Sequence, residues 1–392
     1  MSRNRIGVWD SEPVTSHSQP ISTDRPTLLR ICLKKKKLLC IINVIIIVIL
    51  VITIPTVIIK TKKIKLSTVT TEITTQQLTI TTDNPRTEVQ SKPKCDKWKQ
   101  RGITVAGGNK FGSQLNQLNA PHGIYIDDSK AILVADLINH RIVEWKYSAK
   151  EGQIIAGGNG EGNSLDQLSF PNDVTVDKEK NAMIICDAGN ERVMRWYRQS
   201  QTNPQLLVSG IYCGGVAIDK DGSIYVSDNI KSEVRRWEEG DSDGTLVAGG
   251  NGGGYRRNQL KRPDKIFVDK EYSVYVADVD NHRIMKWKKD AKEGIIVAGG
   301  NDPGNGLNEL TRPYGLIVDN LGRIFIADTL NNRIMQWYEG DTKGSIVIGE
   351  NGGGHESNQL NIPRSVAFDV EGNLYVTDSQ NQRIQKYELC TE

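Results

Sequence analysis

Short runs of alternating apolar and polar residues fill the chain from residue 95 onward. Gly, Asn, Asp or Pro separates each run from the next. Alternation with period two predicts β-strands, and the separating residues predict tight turns between them. One group of four runs occupies residues 124–126, 132–134, 142–145 and 154–156. The pattern therefore predicts short antiparallel strands in groups of four.

One residue recurs at the end of the second strand of each group, so the number of its copies gives the number of groups. It is the aspartate at Asp136, Asp187, Asp228, Asp278, Asp328 and Asp378. The spacing is 50 or 51 residues, except that it falls to 41 before the third copy. Self-similarity at about 40 to 50 residues is typical of β-propellers, in which each four-stranded sheet forms a blade. The sequence predicts an all-β fold, a six-bladed β-propeller over residues 95–392.

The two ends of the repeat region complement each other. The region opens with a lone fourth-strand pattern at 102–108, and the last copy stops after its third strand at 383–387. We expect strand 102–108 to pair with the last blade and close the ring. Closure removes the exposed sheet edges that an open array would leave.

A long apolar segment precedes the repeats. Residues 38–59 are almost entirely Ile, Val and Leu and carry no charge. A helix of about this length crosses a hydrocarbon core of about 30 Å. A cleaved signal peptide is the alternative, but the segment starts late and no small-residue cleavage site follows it. We expect a retained signal-anchor, a single transmembrane helix at 38–59.

The flanks of this segment indicate its orientation. Six basic residues lie just before it and four just after it, which favours a disordered cytoplasmic tail at 1–37. Residues 60–94 are rich in Thr, a composition typical of an extended, disordered stalk. We therefore expect a single-pass type II membrane protein whose propeller is extracellular or lumenal. The inverse topology, with the propeller in the cytosol, is the alternative.

Charge and cysteine content refine this expectation. Residues 1–94 have 15 basic and 6 acidic side chains, so the total of +3 leaves the repeat region at −6. An acidic propeller makes nucleic acid an improbable partner. Cys95 and Cys390 bracket the repeats and are candidates for a disulfide across the closed ring. Whether Cys186 and Cys213 pair stays open.

The turn before each third strand carries a family signature. Residues 278–284 read Asp-Val-Asp-Asn-His-Arg-Ile, and residues 139–142 and 331–334 repeat the Asn-X-Arg-Ile part. This pattern resembles the NHL repeat, and the resemblance covers about three quarters of the chain. It implies a propeller that serves mostly as a binding platform for protein or RNA, although a few relatives are metal-dependent enzymes. The third copy departs, with Glu233 for Arg, Cys213 for Pro and a deleted Gly-rich loop.

Residues that recur in every blade are expected to be structural rather than catalytic, because a single active centre does not need five copies. We assign this role to the strand-two Asp and strand-three Arg pairs, which are Asp136 and Arg141, Asp187 and Arg192, Asp278 and Arg283, Asp328 and Arg333, and Asp378 and Arg383. The Trp residues that follow are expected to pack between blades. Asp278 and Asp280 have calcium-loop spacing, but the later ligands are missing, so we expect a turn.

Functional specificity is expected where the copies differ. The position leading into the first strand varies, and its polar members form the candidate ligand-binding residues: His122, Asn172, Asp264, Tyr314 and Arg364. They would surround one mouth of the central channel. The Gly-rich stretches lack the strand and helix of a phosphate loop. The histidines are too scattered for a zinc site, so neither a metal nor another cofactor is predicted.

Three functions fit these observations. The first is a non-catalytic extracellular module that binds or senses an unidentified protein, peptide or glycan. The second is a metal-dependent enzyme, similar to amidating lyases or lactonases, that uses His122 at the channel mouth. The third is a cytosolic propeller that binds RNA or protein. No catalytic residues are assigned, because no catalytic constellation stands out from the repeat pattern.

Overall fold

A computed structural model describes residues 98–198 and 203–390. The predicted tail at 1–37, transmembrane helix at 38–59 and stalk at 60–94 lie outside these residues, as does Cys95. Within the described residues, no helix is both long and apolar enough to cross a membrane.

The described residues form 24 strands and five 3-10 helices of three residues each. The strands are β1 Ile103–Gly107, β2 Pro121–Ile126, β3 Ile132–Asp136, β4 Arg141–Trp145, β5 Gln153–Gly157, β6 Pro171–Asp177, β7 Ala182–Asp187, β8 Arg192–Tyr197, β9 Gln205–Ser209, β10 Cys213–Ile218, β11 Ile224–Asp228, β12 Glu233–Trp237, β13 Thr245–Gly249, β14 Pro263–Val268, β15 Val274–Asp278, β16 Arg283–Trp287, β17 Ile295–Gly299, β18 Pro313–Val318, β19 Arg323–Asp328, β20 Arg333–Tyr338, β21 Ser345–Ile348, β22 Pro363–Phe368, β23 Leu374–Asp378 and β24 Arg383–Tyr387. The 3-10 helices are Leu137–Asn139, Ala188–Asn190, Val279–Asn281, Thr329–Asn331 and Ser379–Asn381.

The strands form six antiparallel sheets of four strands each. Blades 1 to 5 are β2–β5, β6–β9, β10–β13, β14–β17 and β18–β21, and blade 6 is β22–β24 with β1. The first strands of neighbouring blades contact each other all the way around the ring. These six inner strands therefore surround a central channel, and the predicted six-bladed propeller is confirmed.

Blade 6 takes its outer strand from the beginning of the repeat region. β1 pairs antiparallel with β24, with Ile103 opposite Lys386 and Gly107 opposite Arg383. An isolated bridge between Trp98 and Leu389 extends this pairing. Both ends of the repeat region are thus in one sheet, which closes the ring.

The core lies between blades rather than in one central mass. Each hydrophobic cluster draws on two neighbouring blades, and one of them joins Val234 and Ala248 of blade 3 to Met285 and Trp287 of blade 4. The Trp287 side chain is 1% exposed. Gly294 lies against the same indole, and a Cβ there would come within 2.8 Å of the ring. The Trp at the end of strand three therefore holds a blade to the one before it.

Arg283 shows how each repeated arginine is used. Its Nε donates to Asp278 Oδ2 at 2.6 Å, and both side chains are at least 96% buried. Its Nη atoms donate to the carbonyl oxygens of Tyr255, Arg256 and Gln259 at 2.8–3.1 Å. These carbonyls belong to the Gly-rich loop at 250–262, so one guanidinium fixes both a turn and a loop.

The aspartate of the pair has further donors. The Asn281 amide donates to Asp278 Oδ2 at 2.8 Å and to the Gly254 carbonyl at 2.8 Å. The backbone N–H of Lys261 donates to the other carboxylate oxygen at 2.6 Å. The buried charge is therefore satisfied by several hydrogen bonds, which a buried ion pair requires to be stable.

The other four copies of the pair have the same geometry. Nε to Oδ2 distances of 2.6–2.7 Å join Arg141 to Asp136, Arg192 to Asp187, Arg333 to Asp328 and Arg383 to Asp378. In each blade the same arginine also donates to carbonyls of the loop that precedes the blade.

The structure of the third blade shows why it has no arginine at this position. The loop before it is only residues 210–212, whereas the loop before blade 4 runs from 250 to 262. The carbonyls that an arginine would bind are therefore absent. Glu233 occupies the position and pairs with Arg235 at 2.7 Å, while Asp228 accepts from the backbone N–H groups of its own turn. Loop deletion and arginine replacement are one structural change.

A disulfide lies at the same junction. Cys186 of β7 and Cys213 of β10 are joined, with their Cα atoms 5.6 Å apart and both residues fully buried. The bond links blade 2 to blade 3 where the long loop is missing. The pairing that the sequence left open is therefore Cys186 with Cys213.

We predict that Arg283→Gln lowers the free energy of unfolding by about 3–5 kcal/mol, because it leaves the buried Asp278 carboxylate without its countercharge. Equilibrium unfolding in guanidinium chloride, followed by tryptophan fluorescence, measures the change.

Arg312→Gln is the matched control for this substitution. Its side chain is 46% exposed and lies 3.6 Å from Asp280, so the change should stay within about 1 kcal/mol. Equal effects of the two substitutions would show that the buried pair has no special role.

Candidate functional site

The predicted mouth residues converge at one end of the channel. Each lies one residue after the start of an inner strand, which is a Pro in five blades and Cys213 in blade 3. The six are His122, Asn172, Gly214, Asp264, Tyr314 and Arg364. Because the inner strands surround the channel axis, these residues form a ring at its mouth.

Three of these residues form a hydrogen-bonded chain on one side of the ring. His122 Nδ1 lies 2.7 Å from Asn172 Oδ1. The Asn172 amide in turn donates to the Gly214 carbonyl. An amide oxygen only accepts, so His122 carries its proton on Nδ1. This chain joins blades 1, 2 and 3.

The opposite side of the ring is built on Tyr314. The Arg364 guanidinium carbon lies 3.9 Å from the centre of its ring, in a cation–π contact. Arg262 donates to the tyrosine hydroxyl. Arg364 Nε and the neighbouring Ser365 Oγ are buried without a hydrogen-bond partner among the described residues.

An ion pair below the mouth was not anticipated from the sequence. Lys265 Nζ lies 2.6 and 2.8 Å from the two carboxylate oxygens of Asp173, which is 1% exposed. The pair reaches across the end of blade 3. A Cβ at Gly123 would lie 2.4 Å from Asp173 Oδ1, and one at Gly215 would lie 2.9 Å from the Asp264 carbonyl. Glycines at the equivalent positions thus leave room for it.

The repeat alignment contains a signal for this pair. The third residue of the inner strand is glycine in blades 1, 3 and 5 and serine in blade 6. Only blades 2 and 4 carry charges there, and the charges are opposite. An isolated acid and base at a repeat position otherwise occupied by small residues indicate a contact between blades 2 and 4.

Little space remains among these side chains. The space enclosed by the mouth residues and the Asp173–Lys265 pair is about 10 Å³, close to the minimum for one water molecule. Below it the channel contains a space of about 200 Å³. Most of the residues that line this space are apolar, including Tyr125, Phe267 and Ile317. The mouth is therefore a polar constriction above an apolar channel.

Burial shifts the titration of two mouth residues. Burial, and next the nearby Arg364 charge, lower the pKa of His122 from 6.5 to about 3. Burial raises the pKa of Asp264 from 3.8 to about 7, although Arg364 opposes the shift. At neutral pH the histidine is uncharged, and the aspartate is near its midpoint.

The remaining described histidines have other positions. His140 and His282 lie in the repeated turn, and each accepts from a backbone N–H of the next loop at 3.1 Å. The ring of His355 is almost fully exposed. Within the described residues, no three His, Cys, Asp or Glu side chains are grouped so that they could hold a metal ion.

Comparison with known families supports the repeat assignment. The family model of the NHL repeat matches residues 360–387, which contain β22, β23 and β24 of blade 6. The chain fits the NHL-repeat propeller family. The matched residues include Asp378 and Arg383, the pair that binds the loop before blade 6.

Solved structures of similar fold have low sequence identity to this propeller. A structural genomics protein of unknown function from Bacteroides thetaiotaomicron is 18% identical with a TM-score of 0.61, and 74% of this chain and 76% of that chain align. An auxiliary nutrient binding protein from the same organism is 15% identical with a TM-score of 0.59, covering 74% and 77%. A gluconolactonase from Xanthomonas campestris is 16% identical with a TM-score of 0.51, covering 76% and 96%.

These similarities show the fold alone. No match was found among the curated proteins. The functional argument for this propeller therefore rests on its own residues.

The shifted pKa values predict opposite effects of pH on stability. The folded chain keeps the Asp264 proton up to about pH 7, so this residue lowers the free energy of unfolding as the pH rises from about 4 to 7. The folded chain protonates His122 only near pH 3, so this residue raises the free energy of unfolding as the pH rises from about 3 to 6.5. Relative to the wild type, Asp264→Asn should gain stability with rising pH, and His122→Gln should lose it.

Urea unfolding at a series of pH values between 4 and 7 measures both slopes. Asp302→Asn, which changes an exposed loop carboxylate, is the control and should run parallel to the wild type. Parallel curves for all variants would contradict the burial of the two mouth groups.

Proposed function

We propose that this NHL propeller is a non-catalytic binding module displayed outside the cell. The observation that carries the proposal is the constricted mouth, where polar side chains bond to one another and leave about 10 Å³. This space is too small for a substrate, so a substrate could bind between these side chains only if they moved apart. A nutrient binding protein and a gluconolactonase share the fold, so fold alone does not decide between binding and catalysis.

In this proposal the mouth residues contact a ligand without enclosing it. His122, Asn172, Asp264, Tyr314 and Arg364 offer donors, acceptors and an aromatic face on one rim, which suits a protein, peptide or glycan surface. Residues 95–392 carry a net charge of −6, which disfavours nucleic acid as the main partner.

The extracellular location rests on the sequence and is supported by the Cys186–Cys213 disulfide. Disulfides persist in oxidising compartments and are rare in the cytosol. The apolar segment at 38–59 would anchor the chain, and the Thr-rich segment at 60–94 would hold the propeller away from the membrane.

A metal measurement separates this proposal from the enzymatic alternative. We expect elemental analysis of the full-length chain in detergent to find no stoichiometric transition metal. His122→Ala should leave the metal content unchanged. His355→Ala is the matched control, because its ring is almost fully exposed. One metal per chain that disappears only in His122→Ala would favour the enzyme.

A protease experiment tests the location. In sealed microsomes containing the full-length chain, we expect the propeller to be protected and the N-terminal tail to be cleaved. A non-reducing peptide map of the same sample should link the peptides of Cys186 and Cys213, and it also tests the predicted Cys95–Cys390 pair. A propeller cleaved without detergent, with reduced cysteines, would place it in the cytosol.

A further inference from the structure

Neighbouring blades share a repeated ion pair near the outer part of the ring. One partner is the residue before the Trp of strand three, and the other lies two residues after the Trp of strand three in the next blade. Three junctions show it: Glu144 with Arg198 at 2.6 Å, Arg195 with Glu239 at 2.8 Å, and Lys286 with Glu339 at 2.9 Å. The first pair has its signs reversed, so these three junctions share charge complementarity rather than particular residues.

The junction between blades 3 and 4 breaks this rule. The two equivalent positions are Arg236 and Lys289, both cations. Arg236 pairs instead with Glu238 of its own blade at 2.9 Å, and its Nε is buried without a hydrogen-bond partner among the described residues. Lys289 Nζ lies 4.8 Å from the Tyr272 ring centre, and no described carboxylate lies within 4 Å of it.

The two remaining junctions have Gln336 with Leu389 and Lys386 with Tyr147 at these positions. The junction between blades 3 and 4 is therefore the one at which both positions carry a positive charge.

A groove opens at this junction. We call it the basic groove; it has a volume of about 610 Å³ and runs between β13 and the hairpin at 288–292. Its lining includes four cations, Arg236, Lys288, Lys289 and Lys292, but Asp290 is its one carboxylate. The volume lies within the range of about 300–1,000 Å³ that is typical of ligand pockets.

One wall of the basic groove is the edge of a sheet. β13 is the outer strand of blade 3 and pairs only with β12. Leu246 on this strand is 44% exposed. An outer strand offers backbone donors and acceptors to an added strand, and exposed apolar side chains add contact area.

We propose that the basic groove binds an extended, acidic peptide segment of a partner protein. The segment adds a strand along β13, and its carboxylates supply the missing negative charge between Arg236 and Lys289. This inference deepens the proposed binding function by naming a surface and a partner chemistry, and it uses none of the mouth residues.

A peptide suits the basic groove better than a nucleic acid. A strand edge recognises a peptide main chain through backbone hydrogen bonds, which a phosphate backbone does not match. Blades 3 and 5 carry acidic residues in the equivalent hairpins, at Glu238, Glu239, Glu339 and Asp341. These flanking carboxylates repel a long polyanion and leave a positive patch about one strand wide.

Fluorescence anisotropy on the full-length chain in detergent tests the proposal. The probes are a labelled six-residue peptide of alternating Glu and Val and its counterpart with Gln in place of Glu. We expect the acidic peptide to bind at least about tenfold tighter at low salt. The difference should shrink as ionic strength rises, because salt screens exposed charges.

Lys289→Glu is the decisive variant. It places opposite charges at the junction, so Arg236 can form the pair seen in three of the other junctions. We expect peptide affinity to fall at least about tenfold while the melting temperature holds or rises, which a misfolded variant could not do. Lys146→Glu makes the same charge change in the exposed hairpin of blade 1, and it should leave affinity unchanged.

Several outcomes would overturn the proposal. They are equal binding of the two peptides, unchanged affinity in Lys289→Glu, or stronger displacement of the peptide by a uridine 12-mer or a heparin oligosaccharide. The metal test at His122 is independent of these measurements. A metal there would contradict the non-catalytic function and leave the groove result standing, and a failed groove test would leave the non-catalytic function untouched.

Discussion

The buried pair between the strand-two aspartate and the strand-three arginine is the interaction on which the rest of this propeller depends. In each of five blades one guanidinium binds a buried carboxylate and two or more loop carbonyls. Burying an ion pair is stabilising only when all of its hydrogen bonds are made. The turn, the third strand and the Gly-rich loop of each of these blades must therefore form together. Blade 3 supports this account, because its loop and its arginine are missing together.

The residues with candidate functions differ between blades and lie outside the network formed by the aspartate, the arginine and the loop. The mouth residues belong to the inner strands, and the basic groove belongs to the outer strands and their hairpins. Both regions use positions that the aspartate and arginine leave free. At the mouth the variation yields side chains such as His122 and Asn172 that bond to each other, whereas at the junction of blades 3 and 4 it brings two cations together. Two like charges held close together favour an anionic partner.

Much of the fold could be predicted from local pattern. Alternation with period two predicted the strands, and the number of recurring aspartates predicted the number of blades. Both features depend on residues that are only a few positions apart. The candidate mouth residues followed from their common position in each copy. The Asp173–Lys265 pair did not, since its members are 92 residues apart and meet only because the ring closes. The Cys186–Cys213 bond was likewise open, because connectivity does not follow from spacing alone.

The sequence by itself therefore determined the six blades, the strands within them and the residues that hold each blade together. The tertiary structure alone decided which side chains meet between blades, how little space is left at the mouth and where the junction charges fail to match. The physical reason is that register within a blade follows from the strand period and short turns, which are local. Contacts between blades depend on the rotation from each sheet to the next and on closure of the whole ring.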